Sequence, residues 1–418
     1  MAITPATTKR RVRHSLPAVL MRAGTSKGLF IHRSHLPSSE AEWATPLLAA
    51  MGSRYNDARQ IDGVGGGSSV TSKVAVVSPS SRPGVDVDYT FVQVAVGSET
   101  VDLSGNCGNI CSGVGPFAVQ ERLVTPMPGS RVVDVRIFNT NTSKLIVETV
   151  YVDEDGNAEE DGDCLIPGVK GPGSEIKVSF VEPVGSMTDK LFPSGQRSEQ
   201  ILVEGVTSLG DFGVDVTLID SANPFVLVDA ASLPVEVKRQ PPDSPLSIEV
   251  AEVIRRQGAV QMGLASTFEA AGLVRGTPKL AYVSPPVGNE RDSSDIRVQA
   301  YSMGKPHPSL QLTGGVTLAY AAITEGTVAH RVANRDSGLE GMPTPRRTPS
   351  PVGEQVGSMD ALKAPAQEIQ RTIRIQHGSG IMEVQVWAHE EGEGLSVDRC
   401  IVTRTARRLM EGNVFYYS

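Results

Sequence analysis

Two stretches, one in each half of the sequence, repeat a single local design, and that repetition constrains the fold more than any other feature. In "VDLSGNCGNICSGVGPFAVQ" (101–120), an alternating apolar run stops in glycine, asparagine and cysteine and then turns helical. In "VQAYSMGKPHPSLQLTGGVTLAYAA" (298–322), a second strand runs into a glycine turn and a second helix. Two copies of one supersecondary unit predict a pseudo-symmetric pair of domains with a cleft between them. Helix N-termini facing that cleft would offer free N–H groups and positive dipole ends to a carboxylate.

Length agrees, since 418 residues exceed what one hydrophobic core usually serves. Aromatics are few (5%) while Gly (42) and Pro (28) are many, which suits a β-rich α+β protein with many turns. The net charge of −8 argues against a general nucleic-acid-binding face. No apolar run is long enough to span a membrane. Four cysteines (107, 111, 164 and 400) are too few for a disulfide scaffold, so a reducing, cytoplasmic setting is expected. The N-terminal segment is basic and has no signal-peptide core, and a mitochondrial address stays open.

Residues 1–16 read as a basic disordered tail, 17–190 as the first domain and 191–418 as the second, with the final strands free to return to the first. "SEAEWATPLLAAMG" (39–52) predicts a helix begun by Ser39 and closed by Gly52. "SIEVAEVIRRQGAVQMGL" (247–264) is the clearest helix. The Gly/Pro-rich stretch 166–196 reads as a crossing segment between domains. Residues 332–366, rich in Pro, Ser and Gly, read as a flexible insertion carrying "RRTPSP".

The thiol of Cys107 stands between Ser104, Gly105, Asn106, Gly108 and Asn109 at a helix start, where the dipole would favour its thiolate. Cys107 and Cys111 form only one CxxxC pair, too little for a structural zinc site, and their spacing is wrong for a CxxC redox motif. Acid/base or site-lining work fits Cys107 best. Lys73 follows "GVGGGSSVTS" but opens a strand, so the loop is neither a Walker loop nor a dinucleotide fingerprint. Gly66, Ser68 and Ser69 could approach a small anion there, and a desolvated Lys73 could act as a base near neutral pH. Thr25, Ser26 and Lys27 occupy a polar turn. Lys305, His307, Ser309, Thr313 and Gly314 cluster near the second helix start. No Ser-His-Asp order or G-x-S-x-G motif is present.

Taken together, "MRAGTSKGLF", "IDGVGGGSSVTSKVAVV", "SGNCGNICSGVGPFA" and "MGKPHPSLQLTGGV" resemble the PrpF family, whose members are cofactor-independent isomerases with the diaminopimelate epimerase-like fold. The likeness runs from about residue 17 to 330 and resumes near 370. It implies two domains, each a β-barrel-like sheet around a central helix, with the active site between them. It also implies a shift of the double bond of an unsaturated di- or tricarboxylate by proton abstraction and return, without metal or other cofactor. The family's catalytic lysine falls on Lys73 and its first-domain cysteine on Cys107. Serine and threonine hydroxyls, Lys27, Lys305 and His307 would hold carboxylates. The parent epimerases use a cysteine from each domain, whereas here Gln311 or a neighbour stands in the second position.

The expected function is therefore isomerisation of aconitate or 2-methylaconitate, by double-bond shift or cis–trans change. Methylitaconate or oxalomesaconate isomerisation, two-base epimerisation, and a non-catalytic accessory role beside an aconitase-type dehydratase are the alternatives. The expected partner is a small carboxylate, with no nucleic acid or membrane, and a homo-oligomer is left open.

Overall fold

The computed structural model describes residues 11–206, 208–334, 368–392 and 394–417. Most of the predicted tail and residues 335–366 of the insertion, "RRTPSP" included, lie outside these. The first half contains β1 (Arg13–Ala23), β2 (Ser26–His32), β3 (Lys73–Pro79), β4 (Val87–Val94), β5 (Val101–Asp102), β6 (Val132–Asn139), β7 (Lys144–Tyr151) and β8 (Ile176–Val181). The second contains β9 (Glu199–Val203), β10 (Phe212–Ser221), β11 (Asn223–Asp229), β12 (Lys279–Ser284), β13 (Ile296–Ser302), β14 (Lys305–Pro306), β15 (Glu368–His377), β16 (Gly380–Glu391) and β17 (Gly394–Arg404). The strand that follows, β18 (Ala406–Tyr417), returns to pair with β1.

Hydrogen-bonded neighbours run β18-β1-β2-β3-β4-β6-β7-β8 through one half and β17-β16-β15-β13-β12-β11-β10-β9 through the other. An antiparallel β8–β17 ladder joins the two. The parallel pairs occupy equivalent places, β2–β3 and β4–β6 against β11–β12 and β13–β15. The chain is thus α+β, with two copies of one sheet.

Each sheet wraps one buried helical segment. In the first half this is α2 (Gly108–Cys111) and α3 (Val114–Gln120), and in the second α7 (Leu312–Ile323), all twelve of whose residues are buried. A helix apolar on every side has no stable place except inside a core. Outside the sheets lie α1 (Ala44–Met51) and α5 (Pro245–Gln261). Trp43, Leu47 and Met51 cover Ile31, Val74 and Val92, and Val250 and Ile254 cover Val226 and Leu280. Covered on both faces, β3 and β12 read as unbroken apolar runs rather than alternating ones. No described helix is long and apolar enough to cross a membrane.

Four readings of the sequence change. β1 begins at Arg13, so Arg13–Leu16 are strand rather than tail, held by the β18 register from Tyr417 to Val414. Ser39 precedes a short 3-10 turn (Glu40–Glu42) without a side-chain cap bond, and Trp43 precedes the α-helix, which Gly52 closes in the left-handed conformation. The crossing segment contains β8, whose alternating burial is concealed in sequence by the glycines and prolines around it. Val332 and Ala333 complete a helix (Val328–Ala333) at the edge of the predicted insertion.

One acid is sealed in the first core. Glu148 on β7 is fully buried, its Oε2 accepts the Gly115 amide at 2.7 Å, and its Oε1 has no partner. Burial drives its carboxyl up to about 8, against the opposing bonds from Gly115 and Cys111. A folded pKa above the unfolded one means that stability is fully present below about 4.5 and declines as pH rises towards about 8. The decline should be on the order of a few kcal/mol. Glu148→Gln should flatten that slope in melting temperatures read across this range, and an unchanged slope would remove Glu148 as its source.

Candidate active site

Between the two halves lies an inner pocket of about 40 Å³ that opens into an outer cavity of about 780 Å³. Its walls come from matching places. The N-terminal residues of α2 and α7 meet there, β3 and β12 each contribute a lysine, and the β1–β2 turn contributes Ser26.

Lys73, the first residue of β3, is 8% exposed. Its Nζ donates to Gln93 Oε1 at 2.7 Å and lies 4.9 Å from the centre of the Phe91 ring. Gln93 faces it across the β3–β4 register and donates its amide hydrogens to the Ser72 and Ser69 carbonyls. Those bonds fix the glutamine so that its oxygen, not its nitrogen, meets the amine.

Cys107 is the residue before α2 and is half-buried against the pocket. The Cys107, Gly108 and Asn109 amides precede the first hydrogen-bonded turn and bond to no described acceptor. Asn106 is otherwise engaged. Its amide donates to Asn223 Oδ1 at 3.1 Å, and Asn223 Nδ2 donates back to the Asn106 carbonyl at 2.7 Å and to Thr313 Oγ1 at 3.1 Å. This reciprocal pair stitches the two halves together at the pocket floor. Asn109 Oδ1 accepts from Arg404 Nε at 3.1 Å. Arg404 is 3% exposed, has no carboxylate partner, and is pushed down to about 9 by burial.

His307 lines the same pocket. Its Nδ1 accepts the Ser309 amide at 3.1 Å, and burial, reinforced by the charges of Lys73 and Lys279, lowers it to about 4. It is therefore neutral, with Nε2–H free to donate. Gln311 precedes α7 as Cys107 precedes α2, and its buried Oε1 has no partner.

The pocket thus gathers Ser26, Ser69, Lys73, Gly105, Asn106, Cys107, Gly108, Asn109, His307 and Thr313. Ser104 and Lys305 line the outer cavity instead, as does Ser68, whose hydroxyl pairs with Thr71. The Gly66 and Gly67 amides bond to the Thr71 carbonyl and Gln60 Oε1, so these glycine-loop donors are used internally. Thr25 and Lys27 belong to the turn behind the pocket, where the Thr25 amide reaches Asn109 and the Lys27 amide meets the Val70 carbonyl. Ser309 acts through His307. Gly314 lies against the Phe225 ring in the second core, away from the pocket.

Sequence reading missed Lys279, the first residue of β12, which lines the pocket and is 9% exposed. Burial, with the charge of Lys73, lowers it to about 8 against the pull of Cys107 and Asp102. It also missed Gln93, Asp102 and Asn223. A signal for Lys279 was available, because "TPKLAYVSP" (277–285) repeats "TSKVAVVSP" (71–79).

Among the described residues, no group of three or more His, Cys, Asp or Glu side chains is placed to hold a metal ion. What the pocket does hold is an excess of positive charge. Lys73 and Lys279 face it and Arg404 stands behind it, none bonded to a carboxylate among the described residues, against the one acid of its lining, Asp102. Burying cations unpaired is costly, so such a pocket is built for an anion.

A family model described as "PrpF protein" matches residues 13–340 and 355–417. Across 414 residues, 96% of this chain and 97% of the other, the sequence is 34% identical to a 3-methylitaconate isomerase of Eubacterium barkeri. It is 32% identical to a 2-methyl-aconitate isomerase of Shewanella oneidensis across 418 residues, 95% and 96% of the two chains. A crystal structure of methylitaconate-delta-isomerase superposes with a TM-score of 0.67 at 32% identity, covering 97% of this chain and 96% of that one. A hydroxyproline epimerase from Agrobacterium vitis shares the fold at 12% identity, with a TM-score of 0.51 and coverage of 98% and 94%.

The approach of the two helix starts is close enough to test. A Cβ on Gly108 would lie 2.5 Å from Leu312 Cδ2 and 3.1 Å from Phe180 Cζ. Gly108→Ala should therefore cost about 1–3 kcal/mol through overpacking. Adding Leu312→Ala should lower that cost in a double-mutant melting cycle. Strictly additive losses would show that the two helix starts are not in contact.

Proposed function

The chain belongs to the PrpF family, whose relatives above are isomerases, and on that premise we propose that it isomerises an unsaturated tricarboxylate, aconitate or 2-methylaconitate. The reaction would move the C=C bond, or change it between cis and trans, by taking a proton and returning it, with no cofactor. The observation that carries this reading is the pair of buried lysine amines facing one small pocket without a carboxylate partner, in a protein of net charge −8.

The proton to be removed lies beside a carboxylate and is allylic to the double bond, so its electron pair spreads over a dienolate. The amides of Cys107, Gly108 and Asn109 and the ammonium of Lys73 would meet the charge that develops on the carboxylate oxygens. One such donor is commonly worth about 3–4 kcal/mol in the transition state. His307 would donate its Nε2–H to a second carboxylate while staying neutral. The inner pocket is too small for a whole tricarboxylate, so the reacting carbons would sit inside and a distal carboxylate would extend towards Ser104 and Lys305.

Two-base epimerisation with paired thiols is disfavoured, because Gln311 holds the position equivalent to Cys107. Methylitaconate and oxalomesaconate remain the neighbouring substrates, since relatives at 34% identity carry those names.

Proton NMR in D2O with cis-aconitate, then 2-methylaconitate, tests the reading. With cis-aconitate, loss of the cis vinyl signal with deuterium entering the methylene is the expected result; 2-methylaconitate has no vinyl hydrogen, and there loss of its own methylene signal is expected. Lys73→Ala should slow product formation by about 100-fold or more. Silence from these two acids and from methylitaconate and oxalomesaconate would leave a non-catalytic role.

A further inference from the structure

The lysine-bearing strand occurs twice. Thr71, Lys73, Ala75, Val77, Ser78 and Pro79 recur as Thr277, Lys279, Ala281, Val283, Ser284 and Pro285, six identities in nine positions. The two copies hold equivalent places. Lys73 is in register with Gly28 of a parallel neighbour, and Lys279 with Phe225 of the corresponding parallel neighbour. Both amines reach the same pocket from opposite halves.

Their surroundings differ. Lys73 has an acceptor at 2.7 Å and an aromatic face at 4.9 Å, two partners suited to an ammonium. Lys279 has no such acceptor. Its amine makes no hydrogen bond or ion pair to any described residue, and its ring contact, over Phe225, is longer at 5.9 Å. Lys73, Asp102, Cys107 and His307 face it from the pocket. Behind it stand Arg275 and the Glu252–Arg255 pair, whose charges are matched at 2.8 Å.

On the isomerase reading above, we propose that Lys279 is the second proton-transfer residue. Its neutral amine removes the allylic proton, and the ammonium of Lys73 returns one at the other end of the three-carbon allylic unit. Breaking the C–H bond leaves its electron pair in the dienolate and turns the Lys279 amine into an ammonium. The dienolate pair then forms the new C–H bond with a proton from Lys73, which becomes the neutral amine. Transfer of a proton from Lys279 to Lys73, directly or through water, restores the starting state. Cys107 is then a wall and an amide donor, and no second thiol is needed because a second amine stands in the other half. The lowering of Lys279 to about 8 agrees with this division of labour, since a sizeable neutral fraction exists near neutral pH.

The test follows kcat/KM against pH, which reports the free enzyme's groups, and kcat of the variants, for the full chain with whichever of cis-aconitate or 2-methylaconitate the wild type converts. The wild-type rate should climb through a pKa near 8 as Lys279 loses its proton. Lys279→Arg keeps the positive charge but cannot supply a neutral amine at these pH values, and Lys279→Gln keeps neither. Both should lose at least about 100-fold in kcat without losing their melting transition. In D2O, Lys73→Ala should still exchange the allylic proton of recovered substrate while making little product, and the Lys279 variants should do neither.

An arginine variant that keeps kcat within a few-fold would make Lys279 a carboxylate-holding cation and overturn the proposal. So would a flat wild-type profile between about pH 7 and 9, or exchange that survives loss of Lys279 but not of Lys73. If neither Lys279 variant folds, the wild-type profile and the Lys73→Ala exchange decide alone. A wild type that converts no acid at all defeats the isomerase reading itself, a different result from an active enzyme indifferent to Lys279.

Discussion

The β8–β17 ladder is the seam on which everything else hangs. Six residue pairs, from Arg399–Val181 to Arg404–Ile176, make two curled sheets continuous and fix how the halves face each other. With that angle fixed, the starts of α2 and α7 meet so closely that residue 108 has no room for a side chain. Arg404, the last residue of the seam, places its guanidinium against Asn109, so the joint between the sheets reaches the pocket directly. The Asn106–Asn223 pair closes the same joint from the other side. The pocket is therefore a by-product of docking two equivalent sheets, and its symmetry explains why it holds two lysines.

The electrostatics follow from that docking. Facing two lysine-headed strands across a narrow cleft brings like charges together, and burial weakens their screening by water. The two amines are partnered unequally: Lys73 has an acceptor and a ring at 4.9 Å, whereas Lys279 has no described acceptor and a ring only at 5.9 Å. Burial, reinforced by that field, keeps His307 neutral, so a residue that in water would waver near neutral pH is here a fixed hydrogen-bond donor. An acidic protein can thus hold an anion, because the local field outweighs the global one.

Much of this was legible in sequence, for physical reasons. The strand–glycine–helix unit announced two pseudo-symmetric halves, since only a buried helix is apolar on every side. Lys73 and Cys107 were legible because they stand where strands and helices begin beside glycine. Lys279 was not, because its strand lacks a preceding glycine loop, and only the matched Thr-x-Lys-x-Ala pattern marks it. Gly66 and Ser68 were given to the pocket because nothing in the local pattern shows that Gln60 and Thr71 take up the loop's hydrogen-bonding groups. Gly314 looked like a site glycine but makes room for the Phe225 ring. β8 was hidden because its six residues alternate correctly while glycine and proline on both flanks point to a loop.

β18 has a meaning for how the protein is made. It pairs with β1 along eleven residues, from Arg13–Tyr417 to Ala23–Ala406, so the first half is finished by the last strand described. On the ribosome the second half can collect all its strands while the first still waits with an open edge beside β1. Such an edge is a template for pairing with another chain, and closing it late costs the entropy of a very long loop. The first half can therefore be completed only after the chain through β18 has been made, although its other strands are synthesised first.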